Sequence, residues 1–157
     1  MPGANVKQAL VVSRIIWGAL VMGSTVILGV AALLAEGFYD PELPLLWLGV
    51  AVGLMVAGIG GGIVGGRVAR ASLNGQPGPV KPESINMLII ARLVPAETVA
   101  AISMVLVILS GSFVPVGLAG ALMVVHMAML FPRESELAAL MEPGQTPAEP
   151  GEPVGPR

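Results

Sequence analysis

The chain contains no cysteine and a single histidine, His126. The first absence excludes a disulfide framework, a thiolate zinc site and thiol chemistry. The second excludes a histidine-cluster metal site within one chain. Charge is also scarce, at 11% of 157 residues, against roughly 25% in ordinary soluble domains. A net charge of −2 gives no electrostatic footprint for nucleic acid, so no such partner is expected. No nucleophile–base pair, paired carboxylates or metal cluster stands out, so neither an enzyme nor a cofactor is expected.

What the chain does have is apolar. Hydrophobic residues make up 55% of it. A soluble domain this short has too much surface for its volume to bury that fraction. The uncharged runs are Ile15 to Ala35, Leu43 to Gly66, and Thr98 to Pro132, which holds only His126. The last is too long for one span and is broken by Ser110-Gly111-Ser112 and Pro115. A membrane span takes about 20 apolar residues. Four helices are therefore expected, at about 9–35, 43–70, 84–109 and 114–131. The runs lack the period-2 alternation of barrel strands, so the expected fold is an all-α, integral membrane four-helix bundle built as two helical hairpins. The first run is longer than a signal-peptide core and no small-residue cleavage site follows it, so it is expected to remain as an anchor.

After Pro132 the character changes. Residues 133–141 read as a short amphipathic segment, with Leu137, Leu140 and Met141 on one face. Residues 142–157 are rich in Pro, Gly and Glu and are expected to be disordered.

Loop charges give an orientation. Lys7 and Arg14 precede or open the first helix, Arg67, Arg70 and Lys81 flank the second loop, and Arg133 follows the fourth helix. The first loop carries only Glu36, Asp40 and Glu42. The positive-inside rule then places both termini and the second loop in the cytoplasm. Trp17 and Trp47 lie towards helix ends, where interfacial aromatics are common.

Inside the spans, two features call for explanation. On the second helix Gly58, Gly62 and Gly66 repeat every four residues, as do Gly61 and Gly65. Such a face lets another backbone approach closely. It serves either packing against the first or third helix, or assembly into a homo-oligomer or larger membrane complex. The second feature is Glu97, near the middle of the third helix. An ionisable group at that depth costs about 2.5–3.5 kcal/mol on insertion scales. It can sit there paired with an arginine, carrying a proton, or lining a wet cavity. Arg92 lies five residues away, hence about 140° round a regular helix. Pro95 removes a backbone hydrogen bond to Ala91 and is expected to kink the helix. Arg14, Arg92 and His126 are the candidate intramembrane polar partners, each near a cytoplasmic helix end. The two arginines are long enough to snorkel to the headgroups.

Residues Ala57 to Leu109 resemble the hairpin of ATP synthase subunit c, the rotary-ring proteolipid. The shared features are the glycine-rich helix Gly58 to Gly66, a polar loop with Arg70 and Gln76-Pro77, and a helix with a central Glu in Ala96-Glu97-Thr98-Val99. The resemblance implies that Glu97, with Thr98 beside it, binds a transported proton or sodium ion. The chain departs from that family in its four-residue glycine spacing and in Arg92. A second resemblance spans most of the chain. Arg14-Ile-Ile-Trp17, Arg92 with Ala96-Glu97, and Leu130-Phe131-Pro132-Arg133-Glu134 are similar to a group of small bacterial four-helix membrane proteins of uncharacterised function. That likeness implies a multi-pass protein of the bacterial inner membrane and supplies no activity. Two roles follow as expectations: a non-enzymatic membrane subunit or structural protein, and a subunit-c-like ion translocator acting through Glu97.

Overall fold

A computed structural model describes residues 2–40, 42, 45–74 and 80–141. The tail at 142–157, expected to be disordered, lies outside the described residues. The rest is all-helical apart from one small ribbon. Helices α1 (Pro2–Leu34), α2 (Leu45–Asn74), α3 (Pro82–Ser110), α4 (Val116–Met129) and α5 (Glu134–Met141) follow in chain order, with strands β1 (Gly37–Tyr39) and β2 (Ser112–Val114) in the first and third connections.

Three helices are long and apolar enough to cross a membrane: Val6–Leu34, Leu45–Asn74 and Pro82–Ser110. Large apolar side chains cover their outer surfaces, among them Ile15, Met22 and Val26 on α1, Val52 and Val56 on α2, and Met87 and Val105 on α3. The fourth expected span is different. At 14 residues α4 is about 21 Å long, short of the roughly 30 Å hydrocarbon core. It counts as a span only together with α5, across a bend of 64°. The local sequence explains both ends. Gly111 ends α3 in the left-handed region at φ 68°, a conformation that glycine adopts without strain. Ser112–Val114 is then extended and Pro115 is the N-cap of α4. At the other end Pro132 has no N–H to continue the helix and disfavours helical geometry in the residue before it.

The ribbon was not expected. β1 and β2 pair in parallel, with Gly37 opposite Ser112 and Tyr39 opposite Val114. The Gly37 amide also donates to the Gly111 carbonyl at 3.0 Å. The Phe38 and Phe113 rings stack over the pairing, 5.6 Å apart. Two segments of three residues are too short to show a periodicity, so nothing in the sequence announced them.

Packing also departs from two hairpins of consecutive helices. α3 lies at the centre, packed along α1, α2 and α4, whereas α1 and α2 barely touch. The buried apolar cluster draws Ala9 and Leu10 from α1, Ile85, Ile89, Leu93, Ala96 and Val99 from α3, Met123 and Met127 from α4, and Leu137 from α5. α2 joins through its glycines instead. A methyl on Gly65 would lie 2.5 Å from the Ala91 carbonyl oxygen, and one on Gly62 would lie 2.8 Å from that of Arg92. Gly61 meets the Pro95 ring at 2.9 Å, and Gly58 meets Met123 Sδ at 2.7 Å and Val99 at 3.1 Å, measured in the same way. The Ala91 carbonyl is the group that Pro95 deprives of its helical partner. The glycine face of α2 is thus pressed on the stretch of α3 where a carbonyl is free, a geometry suited to Cα–H···O contacts. Within the chain this face is packed on α3 and Met123 of α4.

Gly65→Ala is expected to lower the thermal midpoint in detergent, at an overpacking cost of about 1–3 kcal/mol. Gly53, on the same helix with nothing within 4 Å of an added methyl, should tolerate alanine without loss. Equal midpoints for the two variants would show that α2 and α3 do not approach this closely.

Candidate functional site

The basic side chains of the long helices and His126 gather at one end, where the start of α3 meets the ends of α2 and α4. Arg92 is the deepest of them. Gly66 makes room for its side chain, since a methyl there would lie 2.9 Å from Arg92 Cγ and 3.2 Å from Nε. Its guanidinium then reaches α5, where Nη1 donates to Glu136 Oε1 at 2.7 Å. Arg70 approaches the same oxygen at 3.4 Å. The Arg92 and Glu136 side chains are 33% and 37% exposed, so the pair is a moderately screened contact rather than a buried one.

Glu136 went unnoticed in the sequence reading. It lies 44 residues from Arg92, in a segment read only for its apolar face. The available signal was that an arginine this deep needs an acceptor, and that the two carboxylates just past α4 are Glu134 and Glu136. The apolar face itself behaves as expected in part: Leu137 is buried, while Leu140 and Met141 are half-buried. α5 therefore folds back across the basic end, held by Leu137 on one side and Glu136 on the other.

Arg14 and Trp17 tie α1 to the end of α4. Trp17 Nε1 donates to the Met127 carbonyl at 2.8 Å, and its ring meets Phe131 edge-on at 4.9 Å. The Arg14 guanidinium sits 5.0 Å from the centre of the Phe131 ring, a cation–π contact. The sequence stretches around Arg14 and Phe131 thus meet in space. One polar link joins α1 to α3, from Ser13 Oγ to Asn86 Oδ1 at 3.1 Å.

His126 does not pair with Glu97. It lines a cleft of about 270 Å³ together with Gly62, Ile63, Gly66, Arg67, Arg70, Arg92 and Leu130. Arg67, missed as a site residue, makes no ion pair among the described residues. Two arginines at i and i+3 on the last turns of α2 were the sequence signal for this cleft.

Glu97 is set apart from all of them. It lies midway along α3, about 22 Å from Pro82, and is half-buried. Its helical position is at the border between the buried stripe through Leu93, Ala96 and Ala100 and the exposed stripe through Val94 and Thr98. It makes no hydrogen bond or ion pair among the described residues, so of the three states open to it, pairing with an arginine is not seen there, nor is a contact with His126. Thr98 is exposed and its hydroxyl donates back to the Val94 carbonyl at 2.8 Å. Pro95 sits within a continuous α3 and faces Gly61. No group of three His, Asp or Glu placed to hold a metal ion occurs among the described residues.

Comparison of the chain with protein-family models, with curated proteins and with solved structures finds no match.

Glu136→Gln is expected to loosen α5 by about 0.5–1 kcal/mol, the value of a half-exposed ion pair. Amide exchange over 134–141 should speed up about two- to fivefold, and high salt should produce a similar change in the wild type. Unchanged exchange in both cases would mean that Leu137 alone docks the helix.

Proposed function

We propose that this chain is a multi-pass protein of a bacterial inner membrane, a four-helix bundle with both termini in the cytoplasm. Its role is that of a non-enzymatic membrane subunit or structural component. One observation carries the reading: every described Lys and Arg belongs to one end of a molecule whose long helices are apolar on their outer faces, while Glu36, Asp40 and Glu42 occupy the other end. That asymmetry matches the bias that sets topology. The polar contacts of the basic end support a structural role, because each joins two elements: Trp17 to α4, Ser13 to α3, and Arg92 to α5. Interhelical polar contacts of this kind are worth about 0.6–2 kcal/mol each, enough to select one packing.

A second reading keeps Glu97 as an ion-binding carboxylate. It is supported by the half-exposed, unpaired state of that side chain among the described residues, and by the tight packing of glycine-rich α2 on the helix that carries it. The central position of α3, flanked by α1 and α4 as well, weighs against a ring of simple hairpins.

The absence of native cysteine makes the topology easy to test. A membrane-impermeant maleimide should label Asp40→Cys on intact spheroplasts and label Ser135→Cys only after permeabilisation. Labelling of Ser135→Cys without permeabilisation would reject the orientation. For the second reading the readout is proton flux in proteoliposomes. The structural role predicts flux no greater than in empty vesicles. Flux from the wild type that disappears in Glu97→Gln would establish the translocator instead.

A further inference from the structure

The basic cleft has more positive charge than its own packing uses. Arg67, Arg70 and Arg92 line it, with His126 opposite on α4. The ion pairs among the described residues bring one carboxylate to them, that of Glu136, and leave Arg67 without a partner. Three arginines therefore line a cavity of about 270 Å³, and two of them share the one acid. Gly62 and Gly66 line the cavity at the seam where α2 lies against Arg92 of α3. Guanidinium groups converging on one space suit a phosphate, which accepts their paired N–H donors.

The cleft does not end in polar atoms. Ile63 and Leu130 also line it, and Ile63 borders a second depression that runs along the outer face of α2. That groove has a volume of about 420 Å³ and is bounded by Val52, Val56, Ile59 and Gly60 among others, with no charged side chain. From Ile63 back to Val52 it covers about 16 Å of helix rise, directed from the basic end towards the acidic end. Gly60 leaves the groove open, since nothing lies within 4 Å of a methyl placed there.

We infer that the cleft and the groove together form a binding site for an anionic phospholipid of the cytoplasmic leaflet. The phosphate lies among Arg67, Arg70 and Arg92, and one acyl chain lies along the α2 groove. Basic pockets between helices on the cytoplasmic side are a recognised setting for such headgroups. The shared chemistry is a phosphate ester. The adjoining apolar groove selects a lipid over free phosphate, because free phosphate has no use for it. The inference rests on the membrane reading proposed above.

Native mass spectrometry of the full chain in detergent tests it, titrated with dioleoylphosphatidylglycerol, dioleoylphosphatidylcholine or inorganic phosphate. Phosphatidylglycerol should bind at least tenfold more tightly than phosphatidylcholine. Arg67→Gln should weaken phosphatidylglycerol about fivefold, the contribution of one cationic side chain at an anionic lipid surface. Arg67 is exposed and unpaired among the described residues, so its loss should not disturb the fold. Arg133→Gln removes the same charge outside the cleft and should leave binding unchanged. Gly60→Leu, which fills the groove, should weaken both lipids.

Equal binding of the two lipids would overturn the inference. So would equal losses in Arg67→Gln and Arg133→Gln, which would indicate diffuse surface charge. Inorganic phosphate that displaces the lipid while Gly60→Leu has no effect would assign the cleft to a free anion and overturn it as well. Failure of the membrane reading shows separately, as chain recovered in the soluble fraction before any lipid is added.

Discussion

The contact on which the rest of this structure depends is the approach of the α2 glycines to the carbonyls of Ala91 and Arg92. Two sequence features on different helices produce it. Pro95 leaves the Ala91 carbonyl without its helical partner, and an unsatisfied carbonyl in an apolar interior costs several kcal/mol. Glycine at 62 and 65 lets a second backbone come close enough to cover that carbonyl with Cα–H groups. Under the membrane reading proposed above, no hydrophobic effect drives the helices together, so close van der Waals contact must provide what bulky side chains provide in water. This is why α2, with few large buried side chains, is still firmly packed on α3.

From that contact the arrangement of charge follows. Holding α2 against Arg92 brings Arg67 and Arg70 to the same end, where all three line one cleft. The Arg92 stem passes the gap at Gly66 and meets Glu136, so the helix that follows α4 is drawn across the end of the molecule. The Trp17, Arg14 and Phe131 contacts bring α1 to the same place. At the opposite end the parallel pairing of β1 and β2 joins the two outer connections. Its main-chain bonds supply partners for backbone groups that no helix satisfies there.

Much of this was legible in the sequence and some was not. The three long helices were read within a few residues, save that α1 begins well before residue 9, because runs of twenty or more apolar residues leave little ambiguity. The glycine face was visible as a packing surface. Its choice of α3 over α1 was not, since that depends on Pro95 and on crossing geometry rather than on α2 itself. α4 was placed within two residues at each end, because Ser110-Gly111-Ser112 and Pro115 mark its start and Pro132 its stop, but its shortfall against a full span was not read. The Arg92–Glu136 pair joins residues too far apart for any local pattern to reveal. Glu97 was found at once from its rarity, but its pairing could not be read, because a carboxylate at the border of two helix faces is equally compatible with either.

The account places the glycine face inside the chain rather than between chains, and isotope-filtered NMR in micelles examines that directly. With glycine and alanine labelled, a cross-peak is expected between the Gly65 Hα protons and the Ala91 methyl, because a methyl in place of the Gly65 proton would lie 3.8 Å from Ala91 Cβ. In a mixture of labelled and unlabelled chains, the account predicts no intermolecular cross-peak to Gly58, Gly62 or Gly65. Intermolecular peaks at those glycines, with the Gly65–Ala91 peak missing, would contradict it.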